Sequence, residues 1–529
     1  MIDSSTRPDK LSNAALFFLV LAPLVVVNYG LYVFNPENIS SPIVYGFQVL
    51  ADFFSILTVS GLWLTILVDL LTPAHQFTDR STRRRWLLAN TPTADIFIPT
   101  AGEPPALVAK TIAAAVAISY PHKTIVLDDG RSDAIKKLAA QYGAEYVRRD
   151  HNRNAKSGNI NNGLAKSQAE FFAVLDADFI AEPSFLEELL SYMQDKTIAF
   201  VQSPQAYTNL QHFIAKGTAA AQDIFYKYVL PSRNSSESAF CVGTNVVFRR
   251  KAVDEIGGIF ELDHSEDIWT SLVLHEKGWR SLFVNKVLAR GLAPDNMISY
   301  FKQQKRWAQG GFSIFFKKNP LFIAGLSFDQ RMQYLFTSMF YFVGFSILTY
   351  LLLPIIYLMT GASPIHAQSS IQWVWHYLPF FVLFYSIPIL LNGKISVPLV
   401  STALATFAPF IQAFFSTIFG QRYTWVTTAS NKFTIKDQVS LYLWPHLMLI
   451  SLSVSSVLVA WVVVRDPTNT AINSFWALVN AYLLGVFVRR SFVPETEEEE
   501  PVLVITPKRT TKKSTPSPQE EQPLDHHLI

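Results

Sequence analysis

Two long apolar runs stand near the start of the chain, Ala14 to Phe34 and Phe47 to Leu71, each of a length that lets a helix cross a bilayer. From about Pro92 to Gly291 the pattern changes to short apolar runs alternating with helical segments and turn residues, the signature of an α/β domain. Strands are predicted at Asp95 to Pro99, Thr124 to Leu127, Glu145 to Val147, Phe171 to Leu175 and Phe200 to Gln202. Helices are predicted between them, around Leu107 to Ile118, Ala134 to Tyr142, Asn159 to Ser167 and Phe185 to Met193. Asn296 to Lys318 has a helical period: Ile298, Phe301, Ala308, Phe312, Phe315 and Phe316 form an apolar stripe, while Gln303, Arg306, Trp307 and Gly310 fall on the opposite side. The apolar side is expected to lie on lipid, leaving a guanidinium, an amide and an indole facing the domain.

Apolar runs return at Tyr334 to Thr360, Trp373 to Leu391, Val397 to Phe419, Leu441 to Val464 and Ala471 to Val488. The third carries Pro398, Pro409, Gln412 and several hydroxyls and is read as an interfacial or partly buried helix, which leaves about six spans, two before the domain and four after it. The divisions expected are 1–91 for the first spans and a basic linker, 92–295 for the α/β domain, 296–333 for interfacial helices, 334–490 for the second membrane region, and 491–529 for a disordered tail.

Composition supports this division. Half of the 529 residues are apolar, 14% are aromatic and only 16% charged, and the mean hydropathy is +0.22, the balance of an integral membrane protein. Net charge is +3 from 44 basic and 41 acidic residues, so no broad polyanion-binding surface is implied and nucleic acid is excluded as a partner. Arg80, Arg83, Arg84 and Arg85 follow the second run, and the turn between the two runs has Glu37 but no Lys or Arg. The positive-inside bias therefore places the domain and both flanks in the cytoplasm of a multi-pass protein of the inner or plasma membrane. The single cysteine, Cys241, rules out an intrachain disulfide and fits a reducing compartment.

The acidic residues cluster at predicted strand ends. The first strand leads into Pro99-Thr100-Ala101-Gly102-Glu103, the second into Asp128-Asp129-Gly130, and the fourth into Asp176-Ala177-Asp178. Alternate residues of an extended segment project the same way, so Asp176 and Asp178 can share one hard cation. Lys156-Ser157-Gly158-Asn159 opens a helix with a cation and a small-residue turn, a combination that suits a diphosphate. Ser265-Glu266-Asp267 begins a helical segment through His275. Each motif alone also fits a turn or a helix cap; their order, ending in Gln-x-x-Arg-Trp, is what makes chance an inadequate account.

In that order the chain resembles the processive family-two glycosyltransferases, in particular bacterial cellulose synthase and its relatives, densely over Asp95 to Asn319 and more loosely over the flanking spans. The resemblance implies an α/β nucleotide-sugar-binding domain of GT-A type embedded in a helical transmembrane bundle. It implies nucleotide-sugar contacts at Glu103, Asp128, Asp129, Lys156, Asp176 and Arg306, and a Mg2+ or Mn2+ ion on Asp178 and Asp176. Asp267 is implied as the base, with acceptor contacts from Gln303, Arg306, Trp307 and Cys241, the last within Phe240-Cys241-Val242-Gly243-Thr244-Asn245.

The departures are specific. Ser265 stands where relatives have threonine. Thr424-Trp425-Val426-Thr427-Thr428-Ala429 replaces the Phe-x-Val-Thr-x-Lys loop that closes over the nucleotide, which weakens cellulose as the product. Two spans precede the domain instead of the frequent four, and the tail is too short and polar for a cyclic-di-GMP-binding PilZ barrel, so control by that nucleotide is expected to be absent.

The expected partners are a nucleotide-sugar donor, the growing polysaccharide, the bilayer and accessory export subunits. UDP-glucose is the expected donor for an inverting polymerase that also exports its β-linked product. A β-1,3- or mixed-linkage glucan, a mannan from GDP-mannose and an amino-sugar polymer stay open as products. A transporter is disfavoured because, apart from Asp52, Asp69 and a few histidines, the spans carry almost no ionisable residues. Aromatic residues such as Tyr341, Trp373, Trp375 and Trp444 are candidates to line a sugar path or to anchor at the membrane interface.

Overall fold

The computed structural model describes residues 4–72, 78–261, 265–366, 370–393, 395–420, 442–463 and 466–492. The loop with Thr424 to Ala429 and the tail expected beyond Arg490, except Ser491 and Phe492, lie outside the described residues.

Helices α1 (Asn13–Val33) and α2 (Pro42–Leu71) are followed by the arginine-rich α3 (Arg80–Asn90), capped by the Asp79 carboxylate on the Thr82 amide. The α/β domain then runs β1 (Ala94–Thr100), α4 (Pro105–Val116), β2 (Lys123–Asp128), α5 (Asp133–Tyr142), β3 (Glu145–Arg148), α6 (Ala155–Lys166), β4 (Phe171–Val174), β5 (Ile180–Ala181) and α7 (Phe185–Leu190). It continues through β6 (Ile198–Gln202), β7 (Ala206–Tyr207), α8 (Phe213–Ile224), α9 (Leu230–Ser232), β8 (Val246–Arg249), α10 (Arg250–Glu255), α11 (Glu266–Glu276), β9 (Arg280–Phe283) and β10 (Ala289–Gly291).

Seven strands form one sheet in the order β3-β2-β1-β4-β8-β6-β9, and β5-β10-β7 form a small second sheet. The pairs β1–β2, β2–β3 and β1–β4 are parallel, joined by right-sized helical crossovers, while β8 enters antiparallel between β4 and β6. One sheet face packs Ile96, Ile98, Val126 and Phe171 against α4, α5 and α7; the other packs Phe97, Leu127, Phe172 and Phe248 against α6 and α10. Covered on both faces, these strands read as continuous apolar runs, which is why the alternation of a half-exposed strand is missing. All five predicted strands and the four predicted helices form, with ends shifted by a few residues. The short β8 and β9, with their polar neighbours, escaped the pattern.

Beyond the domain come α12 (Met297–Lys317), α13 (Phe328–Met339), α14 (Val343–Thr360), α15 (Ser370–Asn392), α16 (Val397–Ala405), α17 (Phe407–Ile418), α18 (Trp444–Val462) and α19 (Pro467–Phe492). Among the described residues six helices are long and apolar enough to cross a membrane: 13–33, 42–71, 328–360, 397–418, 444–462 and 467–492. The 397–418 stretch, expected at the interface, is in this set by length and composition. It breaks at Thr406 into α16 and α17, and it packs on α8 and α12 of the catalytic side. The expected span Trp373 to Leu391, within α15, is not in the set: among the described residues its apolar stretch is the shorter 374–383.

One expectation is overturned. The apolar stripe of α12 does not lie on lipid: Phe301 stacks with His446 and Phe487, Phe312 packs with Phe342 and Phe414, and Ile298, Phe301, Ala308 and Phe312 are all buried. Helices α13, α16, α17, α18 and α19 return over α12 and cover much of it with protein, a placement that a one-helix pattern cannot distinguish from lipid. Trp375 and Trp444, offered for a sugar path or for anchoring, point outward at 69% and 52% exposure, while Tyr341 turns inward, against Gly311.

Candidate active site

Glu103, at the end of β1, accepts from the Ala101 amide at 2.6 Å, and burial raises its pKa against that bond. Asp128, the last residue of β2, is fully buried with every lone pair engaged. Thr100 Oγ1 and the Gly130 amide donate to one oxygen at 3.0 and 2.8 Å, and the Ser132 amide and Tyr146 hydroxyl to the other at 2.7 and 2.8 Å. Asp129 makes a bidentate pair with the Arg149 guanidinium at 2.5 and 2.6 Å. Both aspartates expected on the nucleotide therefore spend their side chains on the protein, ordering the turn whose backbone borders the site.

Lys156, in the first turn of α6, places its ammonium 2.5 Å from Asp176 and donates to the Gly243 carbonyl at 2.8 Å. Burial opposes the charge, but Asp176, Glu266 and Asp267 outweigh it and hold the ammonium above its usual range. The Asp176 amide donates to Thr244 Oγ1 at 2.9 Å, which fixes the strand end that carries both aspartates. Asp178 has its pKa pushed up to about 7 by burial and by the neighbouring Asp176 and Glu103.

A divalent ion fits this donor set. Carboxylates that repel each other in a buried place, one raised to about 7, are the arrangement a hard cation neutralises. Among the described residues no three His, Cys, Asp or Glu groups converge at ligand spacing, so Asp178 and Asp176 would hold the ion with the rest of its shell coming from diphosphate and water.

Asp267 sits in the first turn of α11, where its carboxylate accepts from the Ile268 amide at 2.8 Å. Its pKa is raised to about 7, by burial first and then by Glu266, against the pull of Lys156 and Arg306. Gly243 brings the two halves of the site together: a Cβ built there would lie 3.1 Å from Asp267 Oδ2 and 3.5 Å from Lys156 Nζ, and its φ of +84° favours glycine. Behind it, α12 meets the start of α11 so closely that a Cβ on Gly310 would collide with Ser265, whose hydroxyl donates to the Arg306 carbonyl at 3.4 Å. Gln303, Arg306 and Trp307 are half-buried on this side of α12, and among the described residues Gln303 Oε1 has no hydrogen-bond partner.

Glu103, Lys156, Asp176, Asp178, Asp267 and Arg306 are thus linked through contacts or through their mutual electrostatics. Cys241, implied as an acceptor contact, is buried beside the site, where its thiol feels Asp267 and Lys156. Its side chain is 1% exposed in the core against Val246 and Phe248, burial drives its thiol pKa up, and the chain turns so that Gly243 reaches the site. Sequence reasoning missed Arg149 and Tyr207, the latter a half-buried phenol that feels Asp178, and gave Thr244 no role of its own. Only Arg149 had a signal, an arginine pair directly after a predicted strand.

Residues 95–257 match the family model Glycosyl transferase family 2, and residues 253–487 match the model Cellulose synthase. Over 302 residues the chain is 34% identical to a cellulose synthase catalytic subunit (UDP-forming) of Pseudomonas fluorescens (strain SBW25), covering 55% of this chain and 40% of that protein. It is 32% identical to the cellulose synthase 1 catalytic subunit (UDP-forming) of Komagataeibacter xylinus, covering 52% and 38%. The match thus spans about two fifths of those relatives. Among solved structures a mannosyltransferase from Pyrobaculum calidifontis, in complex with GDP-Man and Mn2+, superposes with a TM-score of 0.52 over 71% of this chain and 100% of its own at 14% identity, a likeness of fold.

Proposed function

We propose that this chain, whose residues 95–257 match the Glycosyl transferase family 2 model and whose residues 253–487 match the Cellulose synthase model, is a glycosyltransferase of cellulose-synthase type that polymerises a UDP-sugar, UDP-glucose first, into a β-linked polysaccharide and passes the product across the cell membrane from a cytoplasmic catalytic domain. The observation that carries this reading is the convergence at Gly243 of a carboxylate with a pKa near 7 and a lysine engaged by the Asp-x-Asp aspartate.

Asp267 removes the proton from the acceptor hydroxyl as that oxygen attacks the anomeric carbon; the C–O bond to the diphosphate breaks, and inversion needs no covalent enzyme intermediate. Asp267 is suited to the task because burial and Glu266 make it a stronger base than an ordinary carboxylate. Lys156 faces the leaving diphosphate, and Arg306 adds positive charge beside Asp267. Trp307 offers a ring face to the terminal sugar. A magnesium or manganese ion bound by Asp178 and Asp176 would supply further neutralisation of the leaving group.

The test is substitution at the two carboxylate sites, with titration of UDP and Mg2+ beside a polymer assay on labelled nucleotide sugars. Asp267→Asn should keep UDP binding and lose roughly two to four orders of magnitude in transfer. Asp178→Asn should weaken metal and nucleotide binding together. Appreciable polymerisation by Asp267→Asn would remove the mechanism, and a polymer made only from GDP-mannose or an amino-sugar nucleotide would replace the donor.

A further inference from the structure

Arg149 follows β3 and is 8% exposed. Its Nε and Nη2 take the two oxygens of Asp129, at 2.5 and 2.6 Å. Nη1 donates to the Arg153 carbonyl at 2.8 Å and Nη2 to the Ala155 carbonyl at 2.8 Å. The loop from Asp150 to Ala155 therefore wraps around one guanidinium. It does so at a conformational cost: Asn154 and Ala155 both have positive φ, 57° and 41°, and an alanine there is uncommon. The wrap is tight from the other side as well, because a Cβ on Gly158 would lie 2.7 Å from Arg149 Nη1. The residue that immediately follows this forced turn is Lys156, which reaches Asp176 and the Gly243 carbonyl.

We propose that Arg149 is a positioning residue of the donor site, the peg that joins the Asp129 carboxylate to loop 150–155 and so delivers Lys156 to Asp176. The Asp129 side chain serves this connection as an anchor for the guanidinium. The proposal rests on reading Lys156 as the cation that faces the donor diphosphate. A planar fork is required, since one ammonium cannot hold a carboxylate and two carbonyls in these directions at once.

The experiment uses the full chain in lipid with UDP-glucose as the probe, and measures donor KM, kcat and thermal stability for Arg149→Gln, Asp129→Asn, Lys156→Met and their pairs. Arg149→Gln is expected to raise donor KM by about tenfold or more with the protein still folded, the effect expected when a charged contact to the donor is displaced. Added to Lys156→Met it should do nothing more, and paired with Asp129→Asn it should do no worse than the poorer single variant, because all three act through one connection. An unchanged KM in Arg149→Gln, or losses that multiply with Lys156→Met, overturns the proposal. If Arg149→Gln fails to fold, Gly158→Ala presses on the same guanidinium and should raise KM in the same way; unchanged kinetics there also count against it. Lys156→Met with unaltered donor KM would instead strike at the donor-site reading, so the two failures are told apart.

Discussion

Asp267 is predicted to give the enzyme its pH dependence. A base must be ionised to act, and its pKa of about 7 means that activity rises with pH through about 7 and is lost below it as the carboxyl becomes protonated. Glu266 is the second cause of the raised value, so Glu266→Gln should move the rising limb to lower pH; a limb that stays in place in a kcat/KM profile would contradict the assignment. At this scale the sequence was informative about which carboxylates matter and silent about what each one meets. Asp128 and Asp129 look like free ligands in a string of letters, yet four donors and an arginine occupy them. Partners twenty residues away, as Arg149 is from Asp129, leave no periodic trace.

At the scale of elements, α12 and α11 act as a pair, and the glycine between them sets their spacing. Gly310→Ala should push Arg306 and Trp307 away from Asp267 and lower polymerisation by at least about tenfold, since small misplacement near the chemistry is costly. Ser265→Gly in the same chain should restore part of the activity by making room, and a Gly310→Ala enzyme as fast as the parent would show that the close approach is dispensable. The helical period of α12 was legible, and so was the side that carries Gln303, Arg306 and Trp307. What covers its other side was not, because Phe410, His446 and Phe487 come about a hundred or more residues later and nothing local announces them. Strand β8 was missed because four residues inserted antiparallel between β4 and β6 make a weaker pattern than the crossovers beside them.

For the molecule as a whole, the two aspartates of α2 serve the structure. Asp52 accepts from the Tyr350 hydroxyl at 2.7 Å and is fully buried, and Asp69 pairs with Arg7 at 2.7 Å, so neither resembles a proton relay open to water. Side is still to be measured. With the domain in the cytoplasm and four crossings after it, cysteines introduced at Thr428 and Ser517 should resist labelling from outside intact cells; efficient labelling would mean that α15 and 397–418 both cross the bilayer.

Arg7 belongs to a short segment ahead of α1 that binds the domain at several points. Ser5 accepts from the Asn285 amide, Asn234 donates to the Thr6 carbonyl at 2.8 Å, and Asn285 Nδ2 donates to the Arg7 carbonyl at 3.1 Å. Asn234 and Asn285 lie 228 and 278 positions beyond their partners. The ribosome therefore makes this latch long before anything exists for it to fasten to, and it must stay open while α1 and α2 insert and the whole sheet folds. Its closing must wait until Asn285 has been made and the sheet that holds it has formed, and such long-range closure is slow. A fusion placed directly before residue 5 should consequently leave insertion intact and delay maturation, which pulse-labelling with a protease challenge would reveal.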